Sequence, residues 1–304
     1  MTALLLRRLV RLGVVVAGVT LITFGILHAS GDPVALMMAE APEADRARLR
    51  EAMGFNDPLA VQFLRFVGRT AQGDFGHSFY HRAPALHLVL ERMPTTLLLT
   101  LLAMGIAMAV SIPTGIYSSV RRNSLADHAA TVVVFLGQSM PVFWTGIMLI
   151  LLFAVEWRLL PVSGWDSWAS ALLPAATLGT FSAPLLLRIV RSSMLDVVAL
   201  DWVRTARGKG VSEWRVVCHH ALTNAALPIV TVTGLQFGLL LGGAVITETV
   251  FAVPGVGRLI VGAIRQLDFP VVQAGVFLLA MIVVTVNFAV DLLYIYLNPQ
   301  VRVT

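Results

Sequence analysis

The chain has 304 residues, of which 57% are hydrophobic and only 13% are charged, and its formal net charge is +5. A soluble domain of this length would be about a quarter charged, so the composition argues against a soluble protein and favours a polytopic membrane protein. The modest positive charge does not imply nucleic acid, because membrane proteins carry basic residues in their cytoplasmic loops. The single cysteine, Cys218, excludes an intrachain disulfide.

Apolar stretches of about 20 residues predict membrane helices. The chain contains six of them: Leu9 to His28, Thr95 to Val120, Ala126 to Glu156, Ala171 to Val198, Asn224 to Val250 and Val271 to Leu297. The predicted fold class is therefore an all-α polytopic membrane protein with six transmembrane helices. The third and fourth stretches contain Pro141, Pro174 and Pro184, so each is either one kinked span or a span with a surface helix.

The first stretch has a second interpretation. Arg7, Arg8 and Arg11 before an apolar run also fit a cleaved signal peptide. We prefer an uncleaved anchor because five more spans follow. This divides the chain into residues 1–28, a segment at 29–94 and a core of five spans at 95–304.

The segment at 29–94 is too long for a simple connector. Its stretches "PEADRARLREAMGF" and "DPLAVQFLRFVGRT" have the apolar spacing of amphipathic helices. They predict a small folded segment outside the cytoplasm.

Basic residues predict the orientation of the spans. With the N-terminus inside, the short outer loops hold only Arg158, Arg258 and Arg265. The cytoplasmic segments then hold most of the other basic residues, namely Arg7, Arg8, Arg11, Arg121, Arg122, Arg188, Arg191, Arg204, Arg207, Lys209, Arg215 and Arg302. Both termini are therefore predicted to be cytoplasmic.

Several motifs that would indicate other chemistry are incomplete. "RGKGVS" has Gly210 where a phosphate-binding loop needs Ser or Thr, and Val203 stands where the first glycine of that loop belongs, so the chain is not expected to hydrolyse ATP. "GVGRLI", which follows Pro254, is expected to be a turn outside the membrane. We expect no metal site at Cys218–His220, and a metal contact of His77 with His81 requires both to lie on one helix.

Small residues recur at four-residue spacing in two spans. The fifth carries Gly234, Gly238 and Gly242, and the fourth carries Gly179 between Ala175 and Ala183. Such faces let helix backbones approach closely in lipid. They indicate either packing within this chain or contact with a second membrane subunit that lines a shared path.

Two acidic residues lie near span ends, Glu248 in the fifth span and Asp291 in the sixth. Ionisable residues within spans are candidates for function. Because each lies close to a membrane surface and neither belongs to a chain of acids, we expect structural hydrogen bonding from both. This pattern does not favour a proton-driven secondary transporter. An intramembrane enzyme is disfavoured too, since the spans lack a nucleophile paired with a base.

The densest basic stretch, "DWVRTARGKGVSEWRVVCHHALTNAALP", strongly resembles the EAA loop of binding-protein-dependent ABC importer permeases of the dipeptide/oligopeptide/nickel family. The general EAA pattern is matched only at Ala206, Gly210 and Leu222, whereas the peptide-family version is similar nearly throughout. Other stretches that match this family cover the chain in order: "HASGDP", "GDFGHS", "SMPVFW", "ETVFAVPGVGRL" and "VDLLYIYLNPQVR".

This resemblance implies a type I ABC importer permease fold in which residues 201–223 form a coupling loop that docks on a cytoplasmic ATPase. Trp202 and Trp214 would be apolar anchors, and Gly208 and Gly210 would permit a tight turn. Arg204, Arg207, Lys209 and Arg215 would pair with acids or lipid phosphates. Thr205, Ala206, His220 and Leu222 complete the candidate coupling residues. The alternative is a basic inner loop without a partner.

The resemblance also implies the partners of the chain. They are a second homologous permease in a heterodimer, two ATPase subunits that bind ATP and Mg, an extracytoplasmic solute-binding protein and membrane lipid. No cofactor in this chain and no nucleic acid are expected. The expected location is the cytoplasmic membrane of a bacterium or archaeon. Short peptides are the expected solutes, with nickel chelates, glutathione-like peptides or opines as alternatives.

Overall fold

The structure is a computed structural model, which describes residues 2–29, 34 and 42–297. These residues form helices and short connectors, and the one isolated β-bridge within them joins His77 to Pro84. The helices are α1 (Thr2–Ala29), α2 (Glu43–Met53), α3 (Leu59–Ala71), α4 (Ala85–Val120), α5 (Leu125–Ser139), α6 (Val142–Leu149), α7 (Trp168–Val198), α8 (Asp201–Gly208), α9 (Leu222–Val250), α10 (Val256–Arg265) and α11 (Phe269–Leu297). The predicted all-α class is confirmed.

Four stretches of helix are long and apolar enough to cross a membrane. They are Ala85–Val120, Trp168–Val198, Arg215–Val250 and Phe269–Val290. A bent pair of helices would make a fifth, and the described side chains of α1 include a shorter apolar stretch, Gly13–Gly25. The described residues thus show four or five of the six predicted spans. The second predicted span, α4, begins at Ala85, ten residues earlier than predicted. Its helix includes the charged Glu91 and Arg92, which interrupt the apolar stretch in the sequence.

The third predicted span is broken at Pro141. Residues Asp127–Ser139 and Val142–Glu156 meet at a bend of 107°. Met140 has extended backbone angles, φ −99° and ψ 140°, as expected for a residue that precedes proline. Pro174 and Pro184, by contrast, lie inside the continuous helix α7. That helix is largely buried, and Ser111 of α4 donates a hydrogen bond of 2.7 Å to the carbonyl of Ala183.

Two π-helical segments extend the neighbouring helices. Ile150–Glu156 follows α6, and Arg215–Ala221 precedes α9 without a break. The continuous helical path from Arg215 to Val250 therefore includes part of the loop that precedes the predicted fifth span.

The chain forms two compact units, which divide at Pro94, Pro254 and Val284. The unit of Thr95–Pro254 and Thr285–Thr304 has an apolar core to which α4, α7 and α9 contribute Leu99, Leu178 and Leu240. Phe251, just after α9, is also fully buried in this core. Helix α9 packs along α7, so the loop between them is fixed at both of its ends.

The unit of Met1–Pro94 and Gly255–Val284 contains α2 and α3, which lie where the amphipathic spacing predicted them. The "GDFGHS" stretch is held against the residue that precedes α11, because the Ser78 hydroxyl donates a hydrogen bond to the buried carboxylate of Asp268. The amide of His81 in turn donates to the Ser78 oxygen at 2.8 Å.

The expectation of a turn at "GVGRLI" is wrong, because these residues begin α10 at Val256. Val256, Ile260 and Ala263 are buried at helical spacing, and a side chain at Gly275 of α11 would lie 2.6 Å from Ile260 Cγ1. Apolar residues at this spacing share one face, and are buried together, only when the segment itself is helical.

Three expectations fall outside the described residues. Most of "HASGDP" and the end of the "VDLLYIYLNPQVR" stretch lie there, as does Arg302. The hydrogen bonding expected of Asp291 lies outside the described side chains.

Candidate functional site: the loop at residues 201–223

The loop begins with a short helix that ends in a glycine turn. Helix α8 is closed by hydrogen bonds from the Gly210 amide to the Arg207 carbonyl, 2.9 Å, and from the Val211 amide to the Ala206 carbonyl, 3.2 Å. Gly210 has φ +76°, so the turn is a Schellman motif with glycine in the left-handed position. Gly208 is the last residue of α8, which means that Gly210 alone has the backbone angle that favours glycine.

One side of the loop is buried against the adjoining helices. Val203 and Val216 are completely buried. Val217 and Ala221 belong to an apolar cluster with Val190 and Met194 of α7 and with Ala225 and Ile229 of α9. The loop is therefore a packed element of the unit of Thr95–Pro254 and Thr285–Thr304.

The other side of the loop is exposed and carries nearly all the residues singled out from the sequence. Trp214 is 78% exposed and Trp202 is 38% exposed. Ala206 and Leu222 are half-buried, and the remaining candidates are exposed: Arg204, Thr205, Arg207, Gly208, Lys209, Gly210, Arg215 and His220. Apolar and cationic side chains of the loop are thus both accessible to a partner.

An ion pair closes the turn. The Arg207 guanidinium donates two hydrogen bonds to the Glu213 carboxylate, Nε to Oε2 at 3.0 Å and Nη2 to Oε1 at 2.6 Å. These bonds from Arg207 hold the pKa of Glu213 below its ordinary value and, reciprocally, raise the pKa of Arg207. A two-bond pair of this kind is geometrically specific, so Arg207 already has a partner inside the loop.

Glu213 was missed by sequence reasoning. The available signal was its opposite charge six residues after Arg207, across a glycine turn. Arg204 makes a weaker contact, 3.7 Å to the Asp201 carboxylate, and 77% of its side chain is exposed. Arg204 therefore stays available to a partner in a way that Arg207 does not.

The small residues of the spans separate into two groups. A side chain at Gly179 would lie 2.8 Å from the Ala103 carbonyl, and one at Gly234 would lie 2.0 Å from Val290 Cγ2. These two glycines permit close helix contacts within the chain. Gly242 is exposed, with open space where a side chain would project, and Gly238 is half-buried.

A close contact absent from the sequence analysis occurs at Gly115. A side chain there would lie 2.6 Å from Val190 Cγ1. Ser111 and Ser119 lie four residues to either side of Gly115, a small-residue spacing in the second predicted span that the sequence analysis did not use.

Glu248 is completely buried near the end of α9, and it accepts a hydrogen bond of 2.6 Å from the Thr96 hydroxyl of α4. The structural hydrogen bonding expected for Glu248 is thereby confirmed.

His77 and His81, which would have to lie on one helix to contact the same metal ion, do not lie on a common helix. His77 lies in the β-bridge with Pro84, and His81 lies in the following turn. Within the described ranges, no group of three or more His, Cys, Asp or Glu side chains is placed to hold a metal ion.

Comparison with known proteins identifies the family. Residues 111–303 match the family described as "Binding-protein-dependent transport system inner membrane component", and residues 1–100 match its N-terminal companion. The dipeptide transport system permease protein DppB of Escherichia coli strain K12 is 42% identical, over 96% of this chain and 97% of that protein. The glutathione transport system permease protein GsiC of Salmonella paratyphi A is 41% identical, over 98% of each.

Solved structures show the same fold. A chain of the MetNI methionine ABC transporter in an inward-facing conformation superposes with a TM-score of 0.56 at 18% identity, over 69% of this chain and 96% of that chain. The chain therefore belongs to the family of binding-protein-dependent transport system inner membrane components, the permease subunits of ABC importers, in which ATP hydrolysis belongs to a separate subunit.

Proposed function

We propose that this permease serves an ATP-driven importer of dipeptides, oligopeptides or similar small solutes, and that it forms half of the translocation path. One observation carries the proposal: end-to-end similarity, at 42% identity, to a permease named for dipeptide transport. The comparable match to a glutathione permease, itself named for a peptide, supports the same chemical class of solute.

The loop at residues 201–223 is the proposed docking element for a cytoplasmic ATPase. Its exposed face offers Trp202, Trp214 and Arg204, and exposed tryptophan and arginine are the side chains most often found to dominate binding interfaces. Its buried face joins the ends of α7 and α9. A partner that displaces the exposed face therefore displaces both helices.

The proposed arrangement in the membrane has six spans, with both termini and the loop on the cytoplasmic side of a bacterial or archaeal membrane. The density of basic residues supports this orientation. Residues 29–94 then form an extracytoplasmic segment, which faces the solute-binding protein, and residues 95–304 form the core.

A second, homologous permease completes the path in this proposal. Two ATPase subunits bind ATP and Mg, and this chain needs no cofactor of its own. Closure of the ATPases on ATP moves the docked loops and opens the path inward or outward in alternation. The open space beside Gly242 supports a contact with another membrane subunit.

The docking proposal is tested by two tryptophans with the same exposure. Trp214 is 78% exposed in the loop, and Trp168, 79% exposed, lies at the other end of α7. In the complete complex, Trp214→Ala should lower ATPase copurification about tenfold, the effect of losing roughly 1.4 kcal/mol. Trp168→Ala should leave ATPase copurification unchanged. Equal behaviour of the two variants would contradict docking at this loop.

Gly210→Pro supplies a second test, because proline cannot adopt φ +76°. We expect solute-stimulated ATP hydrolysis to fall while insertion and pairing with the second permease persist. The solute class is tested separately, by measuring which of dipeptides, longer peptides and glutathione stimulates hydrolysis in the presence of the cognate binding protein. Stimulation by none of these would overturn the solute assignment and leave the docking assignment standing.

A further inference from the structure

Helix α3 exposes an apolar stripe that the rest of the described chain does not cover. Ala60, Leu64, Val67, Gly68 and Ala71 recur at three- and four-residue spacing and are all exposed. Leu64, in the middle of the stripe, is 70% exposed. A neighbouring side of α3 is packed, since Phe63 and Phe66 contact Phe24 of α1 with ring centroids 5.3 and 5.9 Å apart.

The position of α3 along α1 locates the stripe relative to a membrane. Phe24 lies one turn before His28, where the apolar run of α1 ends in the sequence. The span at Phe269–Val290 begins at the same level, where the Gln273 side chain donates to the Thr23 carbonyl at 3.4 Å. The ends of two apolar segments thus mark one boundary of the hydrocarbon layer, and α3 packs at that boundary.

The remaining edge of α3 is basic. Arg65 pairs with Asp57 at 2.7 Å, Arg69 pairs with Asp74 at 2.9 Å, and about half of each arginine side chain stays exposed. An apolar stripe beside half-exposed arginines is typical of helices that lie in the headgroup region, where the apolar face enters the acyl layer and the cations meet phosphates.

Two features favour lipid as the occupant of the stripe. Leu21 and Ile22 of α1 are exposed at the same level, so a membrane segment already presents apolar side chains at the level of the stripe. Helix α2, in the same segment of the chain, is a charged helix with no comparable stripe among its described side chains. The apolar exposure is therefore specific to the helix that lies at the boundary.

We propose that α3 is an interfacial helix whose stripe at residues 60–71 is embedded in the headgroup and upper acyl region of the membrane, where it seats the segment that follows α1. This inference requires only that the chain is embedded in a membrane. It does not depend on the solute assignment or on ATPase docking.

Spin labelling tests the proposal in the complete permease–ATPase complex, reconstituted in phospholipid vesicles without the solute-binding protein. Single cysteines replace Leu64, Arg48 on α2 and Val14 on α1 in a Cys218→Ser background. Arg48 is a polar control with 83% of its side chain exposed, and Val14, 66% exposed, is an apolar control within α1. Nitroxides at each site report collision with oxygen, which enters the bilayer, and with a water-soluble nickel chelate.

The oxygen-to-nickel ratio at position 64 should exceed that at position 48 several-fold and should stay below that at position 14. A ratio equal to that at position 48 would show a water-facing helix and overturn the proposal. Low collision rates with both reagents would show that protein covers the stripe, and would overturn it equally. If Leu64→Cys reduces insertion, Val67→Cys on the same stripe replaces it.

Addition of the solute-binding protein provides a final arm. The ratio at position 64 should not change, because lipid already occupies the stripe. A loss of oxygen collisions at position 64, without a change at position 14, would assign the stripe to the binding protein and reject the lipid assignment.

Discussion

At the scale of single residues, the ion pair between Arg207 and Glu213 is predicted to hold the loop turn in shape. Glu213→Gln removes the carboxylate that accepts both hydrogen bonds from the Arg207 guanidinium. Amide exchange at Gly210 and Val211 should therefore accelerate, and solute-stimulated ATP hydrolysis should fall. Exchanging the two residues, Arg207→Glu with Glu213→Arg, should restore part of both. Asp201→Asn is the matched control, because the Asp201 contact with Arg204 is long and exposed, 3.7 Å, and such pairs contribute little. A control effect equal to that of Glu213→Gln would contradict the positioning role.

The same pair predicts a pH dependence. The hydrogen bonds from Arg207 hold the pKa of Glu213 below its ordinary value, so Glu213 stays ionised in the folded loop at a pH where a free glutamate begins to protonate. The stabilisation is present above that ordinary range and is lost as the pH falls through the lowered pKa. Amide protection of the turn, corrected for intrinsic exchange, should therefore be constant between about pH 8 and about pH 5. Protection should decline only below about pH 5, and this decline should be absent in Glu213→Gln; the same decline in that variant would contradict the pairing.

At the scale of helices, substitution by leucine should lower thermal stability at one glycine of α9 and leave it unchanged at another. Gly234→Leu places a side chain onto Val290, whose Cγ2 lies 2.0 Å from the added Cβ, whereas Gly242→Leu enters open space within this chain. Overpacking costs about 1–3 kcal/mol or more, so Gly234→Leu should lower the thermal stability of the isolated subunit in detergent, and Gly242→Leu should not. Val290→Ala should recover part of the loss. Equal stabilities of the two leucine variants would contradict the placement of α9 against α11.

The helices also show where sequence patterns stop being informative. Amphipathic spacing was sufficient for α2 and α3. Pro141 breaks a helix while Pro174 and Pro184 do not, because the outcome depends on burial by neighbouring helices. Four-residue spacing placed Gly234 and Gly242 together, yet only Gly234 meets a helix of this chain. Likewise Arg207 was assigned to a partner because its true partner, Glu213, becomes adjacent only after the turn at Gly210 forms.

At the scale of the whole molecule, the proposed orientation predicts opposite labelling of two exposed arginine positions. In a Cys218→Ser background, Arg48→Cys should react with an impermeant maleimide in intact cells once any outer barrier is permeable. Arg204→Cys should react only after the cytoplasmic membrane is opened. Both arginine side chains are mostly exposed, at 83% and 77%, so access to the side chain does not limit labelling. The Cys218→Ser chain without added cysteine is the blank, and the reverse pattern would overturn the orientation.

Fold class and family could be predicted from the sequence because the apolar runs and the ordered family motifs extend along the whole chain. The number of spans was less accessible. The bend between α5 and α6 follows Pro141, and whether a proline breaks a span or lies inside a continuous helix depends on its packing against segments far apart in sequence.

The continuous helical path from Arg215 to Val250 connects the loop mechanically to the far end of α9. Its 36 residues correspond to a rod of about 54 Å at 1.5 Å per residue, which begins at the loop and ends beside Glu248. On the other side of the loop, the Schellman turn at Gly210 interrupts the helical path. A push on the exposed face would therefore move the start of α9 about a pivot near Gly210, while the π-helical turn at Arg215–Ala221 and Pro228 inside α9 are the places where the path can bend before the motion reaches Glu248 and its Thr96 partner.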